Sequence, residues 1–266
     1  MEELSEDLLE PRYKVNRLWV PFRYANYESL ALVDSGASVS VVPRRIAAGQ
    51  PILENANVQT RLATRKEPVV ALGPVEVAGS SFEKARFLAM RGRTCLLGLD
   101  LLLSRGSLSL GSWGVRFGGT APAGKALGTV EIDTVHADAA YRSRITGLSL
   151  KVEIDGEQQA CFLDTGRTST LAATAALPVP SGSARKGLDI EFNGFGEFGL
   201  RRFHRRIAHV RIGTLERNIR FRHLHADKTA SQPYVIGGGI LKECDILLSP
   251  DDRIATFFPA GALRNV

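Results

Sequence analysis

Two short stretches set a carboxylate between apolar runs: "LALVDSGASVSVVP" at residues 30–43 and "ACFLDTGRTSTLA" at 160–172. Each ends an apolar segment with an acid, a small hydroxyl residue and a glycine, Asp34-Ser35-Gly36 in one and Asp164-Thr165-Gly166 in the other. A single Asp-x-Gly is what an ordinary β-turn uses. Two carboxylates brought together do chemistry that neither does alone. Like charges about 4 Å apart repel by roughly 4 kcal/mol at an effective dielectric near 20, equivalent to about three pK units. Such a pair holds one proton over a wide pH range. Its ionised member takes a proton from water while its protonated member polarises a carbonyl, which is general acid–base hydrolysis without a covalent intermediate. Gly36 and Gly166 allow the loops to turn tightly, with backbone N–H groups beside the carboxylates. The Ser35 and Thr165 hydroxyls are placed to hydrogen-bond across an axis between the loops.

Something must bring the two loops together, and an internal repeat does so. "LWVPFRYANYESLALVDSGAS" (18–38) aligns without gaps on "LSLKVEIDGEQQACFLDTGRT" (148–168). Alternating apolar residues in each copy (Leu18, Val20, Phe22, Tyr24; Leu148, Leu150, Val152, Ile154) predict a half-buried strand. A turn at Asn26 or Asp155-Gly156 and a second strand then lead into the Asp. Further on, "CLLGLDLL" (95–102) corresponds to "VIGGGILK" (235–242), each apolar-apolar-Gly before a short helix, and each half closes with a hairpin, "SLSLGSWGVRF" or "DILLSPDDRIATF". Helical periodicity is scarce, so the chain reads as mainly β. Duplicated units tend to pack about an approximate two-fold axis, which would make the two acids meet. The expected organisation is an N-terminal extension (1–13), a first unit (14–117), a small-residue linker around "GGTAPAGKALG" (118–128) and a second unit (129–266), with "LPVPSGSARKG" (177–187) as a surface loop.

Composition narrows the field. The 266 residues are 44% hydrophobic, enough for a substantial core, and no run nears the ~20 apolar residues of a membrane helix. The acidic start "MEELSEDLLEPRYK" does not read as a secretory signal, which points to a cytoplasmic protein. Cys95, Cys161 and Cys244 lie far apart without a CxxC pair, fitting reduced, buried thiols rather than a disulfide frame or a metal site. No metal or other cofactor is expected. The net charge of +6 is concentrated in "LRRFHRRIAHVRIG" (200–213) and "RNIRFRHLH" (217–225). Basic residues interleaved with aromatics can bind nucleic acid. The favoured reading is two strands with solvated outer faces, with Phe203, Ile207 and Ile212 supplying a half-buried pattern; their charge would at most attract acidic peptides.

These residues resemble the aspartic proteases that include pepsin and the retroviral enzymes. "LVDSGAS" and "FLDTGRTS" look like that family's catalytic loop, D-[ST]-G-x-[ST], and "LLGLDLL" and "VIGGGIL" like its hydrophobic-hydrophobic-Gly element. The resemblance spans about residues 14–258 and implies a bilobal acid-protease fold of two pseudo-two-fold-related, retropepsin-like β-barrel lobes in one monomeric chain. It implies that Asp34 and Asp164 are catalytic, that a water between them is the nucleophile, and that an extended polypeptide is the substrate. It also implies a flap: "DIEFNGFGEFGLRRF" (189–203) resembles one, with Asn193, Gly194, Phe195, Gly196 and Phe198 at its tip and Phe195 and Phe198 pressing on the peptide. The corresponding "LATRKEPVVALG" (62–73) lacks glycines at its tip.

One position departs from the pattern. After the first Asp-Ser-Gly stands Ala37, and after the second Asp-Thr-Gly stands Arg167. A guanidinium there would favour the ionised dyad, or block the cleft, or turn to solvent or another carboxylate. Arg167 is also the best argument for a rival function, a catalytically inactive peptide-binding module of the same fold. A nucleic-acid binder using residues 200–225 is a second rival, but it leaves the paired acidic loops without a purpose.

Overall fold

The structure is a computed structural model that describes residues 10–59, 64–122, 126–135, 147–168, 171–173, 186–192, 198–224 and 234–265. It is mainly β. The first strands are β1 (Arg12–Lys14), β2 (Arg17–Tyr24), β3 (Tyr27–Val33), β4 (Val41–Pro43) and β5 (Ile52–Gln59). They are followed by β6 (Thr64–Leu72), β7 (Val75–Val77), β8 (Ser80–Phe82), β9 (Ala85–Met90) and β10 (Cys95–Leu97), then helix α1 (Leu99–Leu102). Next come β11 (Leu108–Gly111), β12 (Gly114–Phe117), β13 (Gly128–Val135), β14 (Gly147–Ile154), β15 (Glu157–Asp164) and β16 (Leu171–Ala173). The chain ends with β17 (Lys186–Phe192), β18 (Phe198–Ile212), β19 (Leu215–Leu224), β20 (Tyr234–Gly237), a 3-10 turn (Gly238–Lys242), β21 (Cys244–Ser249) and β22 (Ile254–Pro259).

Two sheets result, and their strand orders repeat. Seven neighbouring strands of the first run β5-β6-β9-β4-β10-β3-β2, and seven of the second run β17-β18-β19-β16-β20-β15-β14. The strand senses repeat as well. β10 lies parallel to β3 as β20 does to β15, and β4 lies parallel to β9 as β16 does to β19. The sequence repeat is therefore also a repeat of topology. The alternating residues do what their period predicts: Leu18, Val20, Phe22, Leu148, Leu150 and Val152 are all fully buried. Each such side chain contributes roughly 1.5–3 kcal/mol on leaving water. The turn at residues 25–26 runs through Ala25 at φ 48° and the one at 155–156 through Asp155 at φ 53° and Gly156 at φ 85°, the positive angles that tight hairpins demand.

The closing hairpins are where the halves join. β11–β12, which ends the first half, pairs through β11 with β21 of the second, Leu108 opposite Leu248 and Leu110 opposite Ile246. The two hairpins thus lie side by side in the order β12-β11-β21-β22, over a core to which both halves contribute. Three observations adjust the sequence reading. Arg12 and Tyr13, assigned to an N-terminal extension, form β1 on the edge of β2. Residues 200–224 are the expected strand pair β18–β19, but Ile207 is 63% exposed while Ala208, Val210 and Ile212 are buried. Ile212 is inward as expected, whereas Ile207 faces out and Ala208 takes the inward place beside it. Of the 177–187 loop, 177–185 lie outside the described residues and Lys186 and Gly187 begin β17. Among the described residues no helix is long and apolar enough to cross a membrane.

Candidate active site

Asp34 directly follows β3 and Asp164 ends β15, so the strands that deliver them hold equivalent places in the two sheets. The loops that follow are locked to each other by a reciprocal ring of hydrogen bonds. The Ser35 N–H donates to Thr165 Oγ1 at 3.0 Å, and that hydroxyl donates to the Val33 carbonyl at 3.0 Å. In mirror fashion the Thr165 N–H donates to Ser35 Oγ at 3.0 Å, and Ser35 Oγ donates to the Leu163 carbonyl at 3.0 Å. Both hydroxyl residues are fully buried, and each polar group in the ring finds a partner in the other loop.

The glycines show how tightly the loops abut. A Cβ on Gly36 would stand 2.6 Å from the Asp164 carboxyl carbon, and one on Gly166 would stand 2.4 Å from that of Asp34. Each acid therefore lies over the glycine of the other loop. Gly98 and Gly238, from the two apolar-apolar-Gly elements, are packed as closely beneath: a Cβ on Gly98 would meet the Val39 backbone at 2.5 Å, and one on Gly238 the Thr165 carbonyl at 2.6 Å. Side chains larger than hydrogen are excluded at all four positions by backbone or carboxyl atoms.

Burial pushes the Asp34 carboxyl up to about 7, and Asp164 adds to this by its charge and by a side-chain hydrogen bond. The Gly36 N–H, donating to Asp34 Oδ1 at 3.0 Å, and the charge of Arg17 pull the other way. Asp34 thus keeps its proton well beyond the ordinary carboxylate range, with a second carboxyl group in contact. That is the condition under which one acid donates a hydrogen bond while its neighbour accepts a proton.

The Arg167 side chain turns towards the dyad. Its Nε stands 3.9 Å from Asp164 Oδ2, the two side chains being 12% and 13% exposed. Its backbone is fixed at both ends, the N–H donating to the Asp164 carbonyl at 3.1 Å and the carbonyl accepting from Gly238 N–H at 2.8 Å. A second guanidinium was not singled out from the sequence: Arg17 Nε donates to the Gly166 carbonyl at 2.9 Å. Asn16 Nδ2 donates to the Thr168 carbonyl at 2.7 Å and the Tyr13 hydroxyl to the Gly238 carbonyl at 2.6 Å. The β1–β2 hairpin of the first half thus grips the Asp164-Thr165-Gly166 loop of the second. The repeat gives no hint of this, because Gly147 is the counterpart of Arg17.

The structure brings together Asp34, Ser35, Gly36, Asp164, Thr165 and Gly166. Of the flap residues, Asn193, Gly194, Phe195 and Gly196 lie outside the described residues, and Phe198 opens β18 opposite Phe192. Long hairpins, β5–β6 and β17–β18, end the repeated strand order in both sheets. Cys95, Cys161 and Cys244 are free and buried; burial raises all three thiols, Cys95 and Cys244 to about 12. No family model matches the chain, and no curated protein matches it.

Proposed function

We propose that the chain is an aspartic endopeptidase in which Asp34 and Asp164 activate a water against a peptide bond. The observation that carries this reading is the reciprocal Ser35–Thr165 ring, which holds two acids over each other's glycines. In the proposed cycle Asp34 begins protonated and hydrogen-bonds the scissile carbonyl oxygen. Asp164 takes a proton from water as the oxygen adds to the carbonyl carbon, and the tetrahedral intermediate receives the Asp34 proton on its oxygen. Asp164 then passes the proton it took to the amide nitrogen while Asp34 takes one back from a hydroxyl of the intermediate, and the C–N bond breaks, leaving a new carboxyl group and an amine. No covalent enzyme intermediate forms.

The fold belonging to this reading is bilobal, with retropepsin-like lobes at 14–117 and 129–266 joined by 118–128. It is supported by the repeated seven-strand order and by the hairpins that meet between the halves. An extended peptide would lie between the lobes beneath the β5–β6 and β17–β18 hairpins, bound by strand addition. A cytoplasmic setting suits three free, buried thiols. One observation favours the catalytically inactive peptide-binding module instead: the Arg167 guanidinium beside Asp164. A peptide library digested between pH 4 and 8 and read by mass spectrometry separates the two. Cleavage lost in both Asp34→Asn and Asp164→Asn supports the protease. Retained peptide affinity with no cleavage at any pH leaves the binding module.

A further inference from the structure

The strand pairings set a different residue level with each acid. On β2–β3, Trp19 is opposite Leu32, which brings Arg17 level with Asp34. On β14–β15, Ser149 is opposite Phe162, which brings Gly147 level with Asp164. The second position is tight, since a Cβ on Gly147 would stand 2.3 Å from the Phe162 ring. Arg17 is half-buried and reaches across to the other loop, its Nε donating to the Gly166 carbonyl at 2.9 Å. Gly166 is the residue over which Asp34 lies: a Cβ on it would stand 2.6 Å from each Asp34 carboxyl oxygen. Gly166 thus meets Asp34 with its α-carbon side and Arg17 with its carbonyl. The turn before Arg17 is pressed on the second half as well. A Cβ on Gly238 would stand 2.4 Å from the Asn16 carbonyl oxygen, and Asn16 Nδ2 donates to the Thr168 carbonyl at 2.7 Å. The base of the Arg17 side chain is therefore anchored before substrate arrives.

We propose that Arg17 is a positioning residue for the reaction: by holding the Gly166 carbonyl it keeps that glycine against Asp34, and so fixes how this acid meets the substrate carbonyl. The inference rests on the reading of Asp34 and Asp164 as a peptide-cleaving pair. Arg17 acts through Gly166 and takes no part in bond making. Misplacing a reacting group by about 1 Å can cost about 10²-fold in rate, so a tie of this kind is read in kcat rather than in KM. Among the described residues, the charged groups around the contact are Asp34 and Asp164, Arg167 beside Asp164, and Lys14 opposite Arg17 on β1. Burial and Asp164 make Asp34 hold its proton, and the charge of Arg17 opposes them. That opposition favours the step in which Asp34 hands its proton to the intermediate.

The test uses the full chain, a peptide that the unmodified chain cleaves, and two substitutions that differ at one atom position. Arg17→Met puts a methyl group where Nε stands, and Arg17→Gln puts an amide nitrogen there. Arg17→Met should lower kcat about 10- to 100-fold with KM held within about 2-fold, and Arg17→Gln should return kcat to within about 3-fold of the unmodified chain. An unchanged kcat in Arg17→Met, a loss confined to KM, or Arg17→Gln as slow as Arg17→Met overturns the inference and leaves the protease intact. If urea unfolding shows that Arg17→Met does not fold, Arg17→Lys replaces it. Its donor sits one bond further out, and kcat should fall about 3- to 10-fold; an undiminished kcat overturns the inference. If the unmodified chain cleaves no peptide, the protease reading falls, and the tie is read from the carbon-13 signal of the Asp34 carboxyl near pH 4, where Asp34 is protonated. A signal that moves in Arg17→Met and returns in Arg17→Gln supports the positioning of Asp34 by Arg17. A signal unmoved in Arg17→Met, or moved alike in both, overturns it.

Discussion

In the first half the loop beyond the aspartate is held from within. Asp100 Oδ1 accepts the Ser40 N–H at 2.9 Å and the Ser40 hydroxyl at 2.6 Å, and Ser40 Oγ accepts the Gly98 N–H at 2.9 Å. In the second half the residue equivalent to Asp100 is Gly239, which has no side chain to accept such bonds. There the loop is held from the other half, by Tyr13, Asn16 and Arg17 of the β1–β2 hairpin. The comparison teaches that duplication preserved what the two acids require of their backbone and let the surrounding supports diverge. The ring at Ser35 and Thr165 is reciprocal bond for bond. Its outer ties, and the charge beside each acid, are not.

The largest effect should come from the acids themselves. Asp34→Asn and Asp164→Asn should each lower kcat about 10²- to 10⁴-fold or more, the range of a lost general acid or base, measured by peptide hydrolysis. A much smaller loss in one of them would show that the pair is unequal in function as well as in surroundings. Next in size is the ring. Ser35→Ala orphans the Thr165 N–H and the Leu163 carbonyl, and Thr165→Ala orphans the Ser35 N–H and the Val33 carbonyl. At about 1–3 kcal/mol for each stranded group, either variant should lose about 2–6 kcal/mol in urea unfolding. Similar losses uphold the equivalence of the loops, and a difference above about 2 kcal/mol breaks it.

Acidity sharpens the comparison further. Asp34 is raised to about 7 by burial and by Asp164, and Asp100 to about 6 by burial against its Ser40 hydrogen bonds. Both are acids whose protonated form the fold favours, so the native state binds more protons than the unfolded chain above the ordinary carboxylate range. Their contribution is fully present below about pH 4 and is lost as pH rises towards about 7, on the order of 1.4 kcal/mol per pK unit. Unfolding followed from pH 4 to 8 should show this decline, and Asp34→Asn should flatten its limb between about 6 and 7. The smallest effect concerns the outer ties. Tyr13→Phe removes one bond and should lower stability by about 0.5–1.5 kcal/mol, with kcat falling because the second loop is loosened. An unchanged kcat would mean that the hairpin grip is structural only.

Much of this was legible in the residues. The β class, the repeat and the acid–hydroxyl–glycine loops could be read because each is local: Leu18, Val20 and Phe22 alternate, and Asp34-Ser35-Gly36 and Asp164-Thr165-Gly166 are contiguous. The cross-bonding of Ser35 and Thr165 follows from symmetry once the repeat is seen. The rest depends on pairings between distant segments. Nothing near Leu108 announces Leu248 as its neighbour, and nothing near Arg17 announces the Gly166 carbonyl. Ile207 misled because, in a strand crowded with arginines, the longer apolar side chain drew the inward assignment that the smaller Ala208 holds.

The central claim is that the duplicated halves place Asp34 and Asp164 where they share a proton, and carbon-13 NMR of labelled aspartate carboxyls tests it directly. The Asp34 resonance is expected to titrate near pH 7, and in Asp164→Asn to move down yet stay above the ordinary range, because burial is the larger cause and the neighbouring acid the second. Titration of Asp34 in the ordinary carboxylate range, or a midpoint indifferent to Asp164→Asn, would contradict the account.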